Sequence, residues 1–134
     1  MILVDAGPLV AIMDADDEHH EECLAVLHKT RGRLASVLPA LTEAMYHLGD
    51  SPEAQDSLLK MIDEGTLSLL PLDAKDLARV RELMRQYLDL PMDFADAALI
   101  RVAEREGVGT IFTLDRRDFS VYRLNGRTRP KLIP

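Results

Sequence analysis

Short apolar runs alternate along the chain with longer stretches in which apolar residues recur every three or four positions. The runs Ile2–Val4, Leu34–Val37 and Leu67–Leu70, with a fourth at residues 110–113, have the length of buried strands. The stretches between them have the period of amphipathic helices. Strands that alternate with helices imply right-handed crossovers, so the pattern predicts an α/β fold with a parallel sheet covered on both faces.

The predicted helices begin and end at residues with suitable capping chemistry. Ser51 and Pro52 fit the N-cap and the first position of one helix, and Asp73 and Asp93 fit the N-caps of two others. Gly107 ends the longest helix. Helices are predicted at residues 9–13, at about 23–30 and 39–48, from 52 to at least 62, at 77–88 and at 93–106. No element is predicted after residue 119.

Length and composition are those of one domain over residues 1–134. The chain is 47% apolar, enough for a core without disulfides, and no Ser/Gly-rich linker or internal repeat divides it. No stretch approaches the ~18 to 20 uninterrupted apolar residues of a membrane span, and Asp5 comes too early for a secretory signal. Cys23 is the only cysteine, so no internal disulfide can form. We therefore expect a soluble protein of the reducing cytoplasm.

The formal net charge of −7 is unevenly distributed along the chain. Six acids and no Lys or Arg lie between Asp14 and Glu22, whereas the residues from Arg101 to the end include eight bases and four acids. Phosphate binding is driven by Lys and Arg. A polyanion could therefore dock on one side of the protein despite the overall charge.

Four acids are predicted to meet at one edge of the sheet. Asp5 ends the first strand, and Asp115 lies just past the strand at 110–113. Glu43 lies one turn into the helix that follows the second strand, and Asp96 lies in the first turn of the helix at 93–106. Functional groups of parallel sheets gather at the carboxyl ends of the strands. The four side chains can therefore converge although they are distant in sequence.

Such a cluster requires compensation for its charge. Two unit charges ~4 Å apart repel by roughly 4 kcal/mol at an effective dielectric constant of 20. Either some of the carboxyl groups stay protonated, with raised pKa values, or a hard cation lies among them. Mg²⁺ and Mn²⁺ prefer oxygen ligands and retain waters that can become nucleophiles. Metal-assisted hydrolysis of a phosphodiester uses this arrangement.

Each acid also has a purely structural interpretation. Asp93 fits an N-cap better than a metal ligand, and Asp96 would then lie at the third helical position, where the helix dipole favours a negative charge. Asp115 precedes two arginines and could form a local ion pair, and Glu43 alone would be a solvated helix position. Asp5 is harder to explain in this way, because a carboxylate beside the core needs a reason.

Four segments resemble, in order, the motifs of PIN domains, a family that includes the VapC-type toxins of bacterial and archaeal toxin–antitoxin pairs. They are residues 2–12 (ILVDAGPLVAI), 38–44 (LPALTEA), 93–100 (DFADAALI) and 113–119 (TLDRRDF). Together they span almost the whole chain. The resemblance implies a three-layer α/β/α domain with a central, mostly parallel sheet, dependence on Mg²⁺ or Mn²⁺, and endonucleolytic cleavage of RNA.

The resemblance assigns four positions to the acids of the family's metal site and leaves two alternates beside them. The four are Asp5, Glu43, Asp96 and Asp115, and the alternates are Asp93 and Asp118. The hypothesis is that the three aspartates coordinate one cation directly or through water, while the glutamate holds a second ion or orients the attacking water. Ala6 departs from the family, where Thr or Ser often supplies a hydroxyl to the site. Backbone groups or Thr113 could substitute, and reduced activity is the other expectation.

Arginines near the fourth motif are the candidate contacts for RNA. Arg116 and Arg117 adjoin Asp115 and could bind phosphates at the rim, with Arg101 a weaker candidate, although solvated surface arginines are an equally good interpretation. The resemblance also implies a homodimer and, for a toxin, a small antitoxin whose basic side chain reaches into the acidic site.

Parts of the sequence also suggest three other kinds of site or function. His19, His20 and Cys23 lie among acids and could suggest a transition-metal site, but the helical period points His20 away from the other two. A phosphohydrolase of the haloacid-dehalogenase type needs a second Asp two residues after the first, where this chain has Gly7. A PIN scaffold that has lost turnover and acts as an RNA- or protein-binding module stays an alternative.

Overall fold

The first strand of the chain lies at the centre of one fully parallel sheet. The computed structural model describes residues 1–134. Its strands are β1 (Ile2–Val4), β2 (Leu34–Val37), β3 (Leu67–Leu70), β4 (Thr110–Phe112) and β5 (Lys131–Ile133). They lie in the order β3-β2-β1-β4-β5, and every neighbouring pair is parallel. This confirms the predicted α/β architecture.

Seven helices flank the sheet and complete the three layers. They are α1 (Ala6–Met13), α2 (His20–Lys29), α3 (Leu38–His47), α4 (Pro52–Asp63), α5 (Leu77–Gln86), α6 (Phe94–Glu106) and α7 (Arg116–Phe119). Helix α1 packs against α2, α3 and α4, and α6 packs against α3 and α5. None of the helices is both long enough and apolar enough to cross a membrane.

The predicted capping residues hold the helix ends. The Ser51 hydroxyl accepts a hydrogen bond from the backbone N–H of Ala54 at 3.2 Å, at the start of α4. The Asp93 carboxylate accepts one from the N–H of Asp96 at 2.8 Å, at the start of α6. Gly107 ends α6 with a φ of 67°, a conformation that side chains disfavour. Local chemistry therefore sets where these helices begin and end.

Two elements at the end of the chain were not predicted. Strand β5 has only three residues and lies between Pro130 and Pro134, so it lacks a recognisable strand pattern. Its pairing with β4, which joins Thr110 to Lys131 in register, makes it a strand. Helix α7 has four residues, too few for a helical period. Helix α1 also begins earlier than predicted, because Asp5 serves as its N-cap.

The neighbouring strands β1 and β4 end together, and this alignment positions the acids. Val4 pairs with Phe112 in the sheet, and the backbone N–H of Asp5 donates to the carbonyl of Phe112 at 2.9 Å. Asp5 and Thr113 therefore leave the sheet side by side at its carboxyl edge. The core beneath them is closely filled, with Phe112 and Leu3 fully buried.

Ion pairs that involve a fully buried carboxylate join Asp76, the residue just before α5, to α6. Asp76 has no exposed surface, and it accepts hydrogen bonds from Arg101 Nε at 2.9 Å and Arg105 Nη1 at 2.8 Å. Desolvation opposes its ionisation, but hydrogen bonds from the Asp73 backbone and from Arg101, with the charge of Arg105, hold the pKa of Asp76 below its usual value. This cluster is structural, because it lies outside the acidic cleft described below.

Candidate active site

Six carboxylates line one cleft of about 420 Å³ at the carboxyl edge of the sheet. They are Asp5, Glu43, Asp93, Asp96, Asp115 and Asp118. The structure thus brings together all four acids of the predicted set and both alternates. No Lys or Arg lines the cleft, and the charge of Arg117 acts on Asp118 from outside it.

Asp5 is the most buried acid of the cleft, with 8% of its surface exposed. Its Oδ1 accepts a hydrogen bond from the backbone N–H of Ala6, and its Oδ2 accepts one from the hydroxyl of Thr113, both at 2.8 Å. Burial raises the pKa of Asp5; those two hydrogen bonds oppose the rise, and the charges of neighbouring aspartates add to it. The carboxylate is therefore fixed in orientation but costly to ionise without a cation.

Asp96 lies in the first turn of α6, one helical turn after the N-cap Asp93. Desolvation and the charges of Asp93 and Asp5 raise the pKa of Asp96 to about 8, and a hydrogen bond from Tyr122 works in the opposite direction. The Tyr122 hydroxyl donates to Asp96 Oδ2 at 2.9 Å. Burial and the charge of Asp96 raise the pKa of Tyr122, so this phenol stays protonated and acts as the donor.

Glu43 approaches the same cleft from helix α3. Desolvation raises the pKa of Glu43 to about 7, and the charge of Asp93 and a hydrogen bond with it contribute to the rise. Asp93 thus has two roles: it caps α6, as predicted, and its charge faces Glu43 across the cleft.

The tightest group of oxygen ligands consists of Asp96, Asp115 and Asp118. Each offers one carboxylate oxygen, and these atoms lie within 4.8 Å of one another. Asp115 caps α7 by accepting from the backbone N–H of Asp118 at 3.1 Å, which places the two carboxylates together. Desolvation and the charge of Asp115 raise the pKa of Asp118. Asp118, ranked as an alternate from the sequence, therefore belongs to the geometric centre of the cluster.

The donor set suits a small hard cation. Carboxylate oxygens are the preferred ligands of Mg²⁺ and Mn²⁺, and the cleft lacks the thiolate ligands that favour softer metals. A doubly charged ion would favour the ionised form of the groups whose pKa values are raised, namely Asp5, Glu43, Asp96 and Asp118. The residues present therefore fit a divalent metal.

The three arginines proposed for RNA differ in their surroundings. Arg116 and Arg117 are exposed at the start of α7, and Arg116 Nη1 donates to the carbonyl of Pro134 at 2.5 Å. Arg101 instead forms the ion pair with buried Asp76 described above and does not line the cleft. The structure brings the first two near the site and holds the third in the α5–α6 contact.

Two further side chains lie at the site, and the sequence did not assign either to it. His47 has no evident partner in the sequence and was interpreted as a surface or core-edge residue. It lines the cleft one turn beyond Glu43 on α3, and the spacing of four residues was a signal that could have placed it there. Tyr122 lies in the segment after α7, where no periodic pattern predicts an element. Only the folded structure brings its hydroxyl to Asp96.

The alternative metal site on α2 does not form. His20 Nδ1 lies 2.6 Å from the carbonyl oxygen of Ala11, whereas His19 lies beside Glu18 and Glu22. Cys23 is fully buried, and desolvation raises its pKa to about 11, which disfavours the thiolate a metal requires. Residues 19–23 therefore form the beginning of α2 and have a structural role.

The sequence profile of the PIN domain family matches residues 2–124 of the chain. The chain belongs to the PIN domain family. Its sequence is 27% identical over 135 residues to Ribonuclease VapC26 of Mycobacterium tuberculosis (strain ATCC 25618 / H37Rv), covering 99% of this chain and 100% of that protein. The similarity therefore extends over the full length of both.

Solved structures show the same PIN fold at lower sequence identity. The toxin VapC20 of Mycobacterium tuberculosis, which cleaves the sarcin-ricin loop, has a TM-score of 0.81 and 15% identity, over 88% of this chain and 92% of that one. VapBC2 of Rickettsia felis, bound to a DNA fragment from its promoter, has a TM-score of 0.65 and 18% identity, over 98% and 97%. FitAcB of Neisseria gonorrhoeae has a TM-score of 0.64 and 17% identity, over 89% and 91%.

Proposed function

We propose that this PIN domain protein is a divalent-metal-dependent endoribonuclease, the toxin of a toxin–antitoxin pair. The observation that carries the proposal is the cleft in which six carboxylates meet without a protein cation. Similarity to a ribonuclease over 99% of the chain supports the same conclusion. The proposal treats residues 1–134 as a single PIN domain that acts in the cytoplasm.

Asp5, Asp96 and Asp115, with Asp118 beside them, are the residues proposed to hold Mg²⁺ or Mn²⁺. A bound divalent cation supplies an activated water and neutralises charge on the phosphodiester. Glu43, which lines the same cleft, can orient the attacking water and accept its proton. The water oxygen then forms a bond to phosphorus as the P–O bond to the leaving nucleotide breaks.

We propose that Thr113 supplies the hydroxyl that Ala6 lacks. Thr113 Oγ1 lies 2.8 Å from Asp5 Oδ2 and is fully buried, so its orientation is fixed. This contact favours an active nuclease over a scaffold that has lost turnover. Arg116 and Arg117 are the proposed phosphate contacts at the rim, because both are exposed next to Asp115.

The experiment is cleavage of a labelled single-stranded RNA by the purified protein with Mg²⁺, Mn²⁺ or EDTA. We expect cleavage with either metal and none with EDTA. Asp5→Asn should lower the rate by at least about 100-fold while the protein stays folded, because the substitution removes a metal ligand and keeps its shape. Asp56→Asn, an exposed acid on α4, is the matched control and should cleave like the wild type. Absence of metal-dependent cleavage by the wild type, or full activity of Asp5→Asn, would contradict the proposal.

The proposed protein partners are an antitoxin and a second copy of the chain. An acidic cleft without a cation can take the basic side chain of an antitoxin, which would exclude metal and RNA together. The apolar patch formed by Leu77, Leu88 and Phe94 supports a homodimer. These side chains are 44%, 76% and 44% exposed around a groove between α5 and the start of α6.

A further inference from the structure

Tyr122 reaches Asp96, one of the acids that line the cleft, from the core rather than from solvent. The residue has no exposed surface, and its ring packs edge-on between two other aromatic rings. Ring centroids lie 5.0 Å away at Tyr87 and 5.1 Å away at Phe119. From this position the hydroxyl donates to Asp96 Oδ2 at 2.9 Å.

The segment around Tyr122 is anchored on both sides, so the hydroxyl has little freedom to move. The backbone N–H of Arg123 donates to the Tyr87 hydroxyl at 3.0 Å. Further along, the backbone N–H of Asn125 donates to Glu104 Oε2, and Arg79 holds the same carboxylate through two hydrogen bonds of 2.9 Å each. The Tyr122 phenol is therefore part of a fixed support beneath Asp96.

A fixed donor on one oxygen changes how Asp96 can bind a cation. A carboxylate that binds through both oxygens must present them symmetrically, whereas Oδ2 of Asp96 is turned towards Tyr122. Its Oδ1 accepts no side-chain hydrogen bond, so we take Oδ1 as the oxygen that is free to bind a cation in the cleft. Mg²⁺ and Mn²⁺ accept such single oxygens in an octahedral arrangement, but Ca²⁺ takes six to eight ligands and often uses bidentate carboxylates.

We propose that Tyr122 is a positioning residue that holds Asp96 as a one-oxygen ligand and thereby selects small octahedral cations over Ca²⁺. This inference rests on the proposed function, because it assumes that the cleft binds a divalent metal. Outer hydrogen bonds of this kind typically contribute 10- to 100-fold to metal affinity. Loss of the hydroxyl would free the carboxylate to rotate and to offer both oxygens.

The test is calorimetric titration of the full chain with Mn²⁺ and separately with Ca²⁺, without RNA. In Tyr122→Phe we expect the affinity for Mn²⁺ to fall about 10-fold, while the affinity for Ca²⁺ is unchanged or higher, so that the preference for Mn²⁺ narrows by about 10-fold or more. Tyr46→Phe is the matched control. It removes a phenol hydroxyl from a side chain that is 82% exposed and outside the Tyr122 segment, and it should leave the preference unchanged.

An unchanged Mn²⁺ to Ca²⁺ affinity ratio in Tyr122→Phe would overturn the inference, as would the same change of the ratio in Tyr46→Phe. A crystal structure of the wild type with Mn²⁺, in which Asp96 binds through both oxygens, would overturn it without any variant. The RNA-cleavage assay separates the two proposals. If the wild type cleaves RNA with metal, but the ratio of Mn²⁺ to Ca²⁺ affinity is unchanged in Tyr122→Phe, only the role of Tyr122 is rejected. If the wild type binds Mn²⁺ selectively and Tyr122→Phe weakens that selectivity, but the wild type does not cleave RNA, only the nuclease proposal is rejected.

Discussion

Thr113 is fully buried, yet its hydroxyl oxygen makes two hydrogen bonds in the wall of the cleft. It donates to Asp5 Oδ2 at 2.8 Å and accepts from the backbone N–H of Asp115 at 3.0 Å. Thr113→Val keeps the shape and removes both bonds. We expect the free energy of unfolding to fall by about 1 to 3 kcal/mol, since buried Asp5 and the partly buried N–H of Asp115 each lose a hydrogen-bond partner. Metal-dependent cleavage should fall at least 10-fold.

Denaturant unfolding and RNA-cleavage rates measure the two effects of Thr113→Val. Thr113→Ser retains the hydroxyl and should keep most of the activity. Equal activity in the Val and Ser variants would show that the hydroxyl does not support Asp5.

The raised pKa values of the cleft acids lead to a second prediction, which concerns the thermal stability of the metal-free protein in EDTA. Desolvation raises the pKa of Asp96 to about 8 and that of Glu43 to about 7. The folded state therefore binds more protons than the unfolded chain above about pH 4, and its stability falls as pH rises through these values. Between pH 5 and 8.5 we expect Tm to fall by about 3 to 5 °C. This corresponds to a net pKa shift of about one unit, because solvent screening reduces the effect of the individual shifts on stability.

Thermal melts of the metal-free protein across this pH range test the prediction. Asp96→Asn should flatten the dependence, and saturating Mn²⁺ should remove most of it, because the cation favours the ionised carboxylates. A Tm that rises between pH 5 and 8.5 in EDTA would contradict the assignment of raised pKa values.

The sequence predicted the convergence of the acids because their positions at strand ends and helix starts are local features. Asp5 follows an apolar run, and Asp96 lies three residues after the N-cap Asp93. The contacts that orient these carboxylates were harder to predict. Tyr122 reaches Asp96 from 26 positions away, through aromatic packing that no local pattern records.

Arg101 has two alternative roles, a contact with RNA and an ion pair that supports the packing of α5 and α6, and their effects on stability differ. Its guanidinium is 26% exposed and bonds to Asp76, which is fully buried, so its loss leaves a buried charge with one partner fewer. We expect Arg101→Met to lower the free energy of unfolding by about 1.5 to 3 kcal/mol and to leave RNA affinity unchanged. Arg117→Met should do the opposite, with a change in stability within about 0.5 kcal/mol and weaker RNA binding.

Denaturant unfolding and RNA binding by Asp5→Asn protein with each substitution added measure this contrast. If the Arg101 variant binds RNA more weakly and loses no stability, Arg101 contacts RNA and the ion pair with Asp76 does not stabilise the fold. Retained RNA affinity in the Arg117 variant would remove Arg117 from that surface.

Elements with a strong local period were predicted, and those defined by pairing were not. Strands β1 to β4 were found as apolar runs, and the start of α6 followed from its N-cap. Strand β5 alternates too briefly to stand out, and only the edge of β4 makes it extended. Helix α7 depends on the cap that Asp115 provides, which is visible only once the loop has its final shape.

For the whole molecule, the apolar patch of Leu77, Leu88 and Phe94 predicts the oligomeric state. We expect light scattering to give a mass of about 30 kDa, twice the 15.0 kDa of the chain. Leu88→Glu places a charge at the most exposed residue of the patch, which is 76% exposed, and should shift the protein to the monomer.

Leu59→Glu, at an apolar residue of α4 that is 45% exposed outside the patch, is the control and should leave the dimer intact. A wild type that is monomeric at every concentration would reject the dimer. Loss of the dimer in the control alone would move the interface to α4.

The hydrogen bond between Asp5 and Thr113 joins residues 108 positions apart in the chain. Strand β1 is synthesised before its neighbour β4 and the acids of α7, which lie more than 100 residues further along the chain. A nascent chain on the ribosome, or a fragment cut short before residue 115, therefore lacks part of the cleft. An enzyme that destroys RNA would in this way spare its own message until residues 115–118 have been translated.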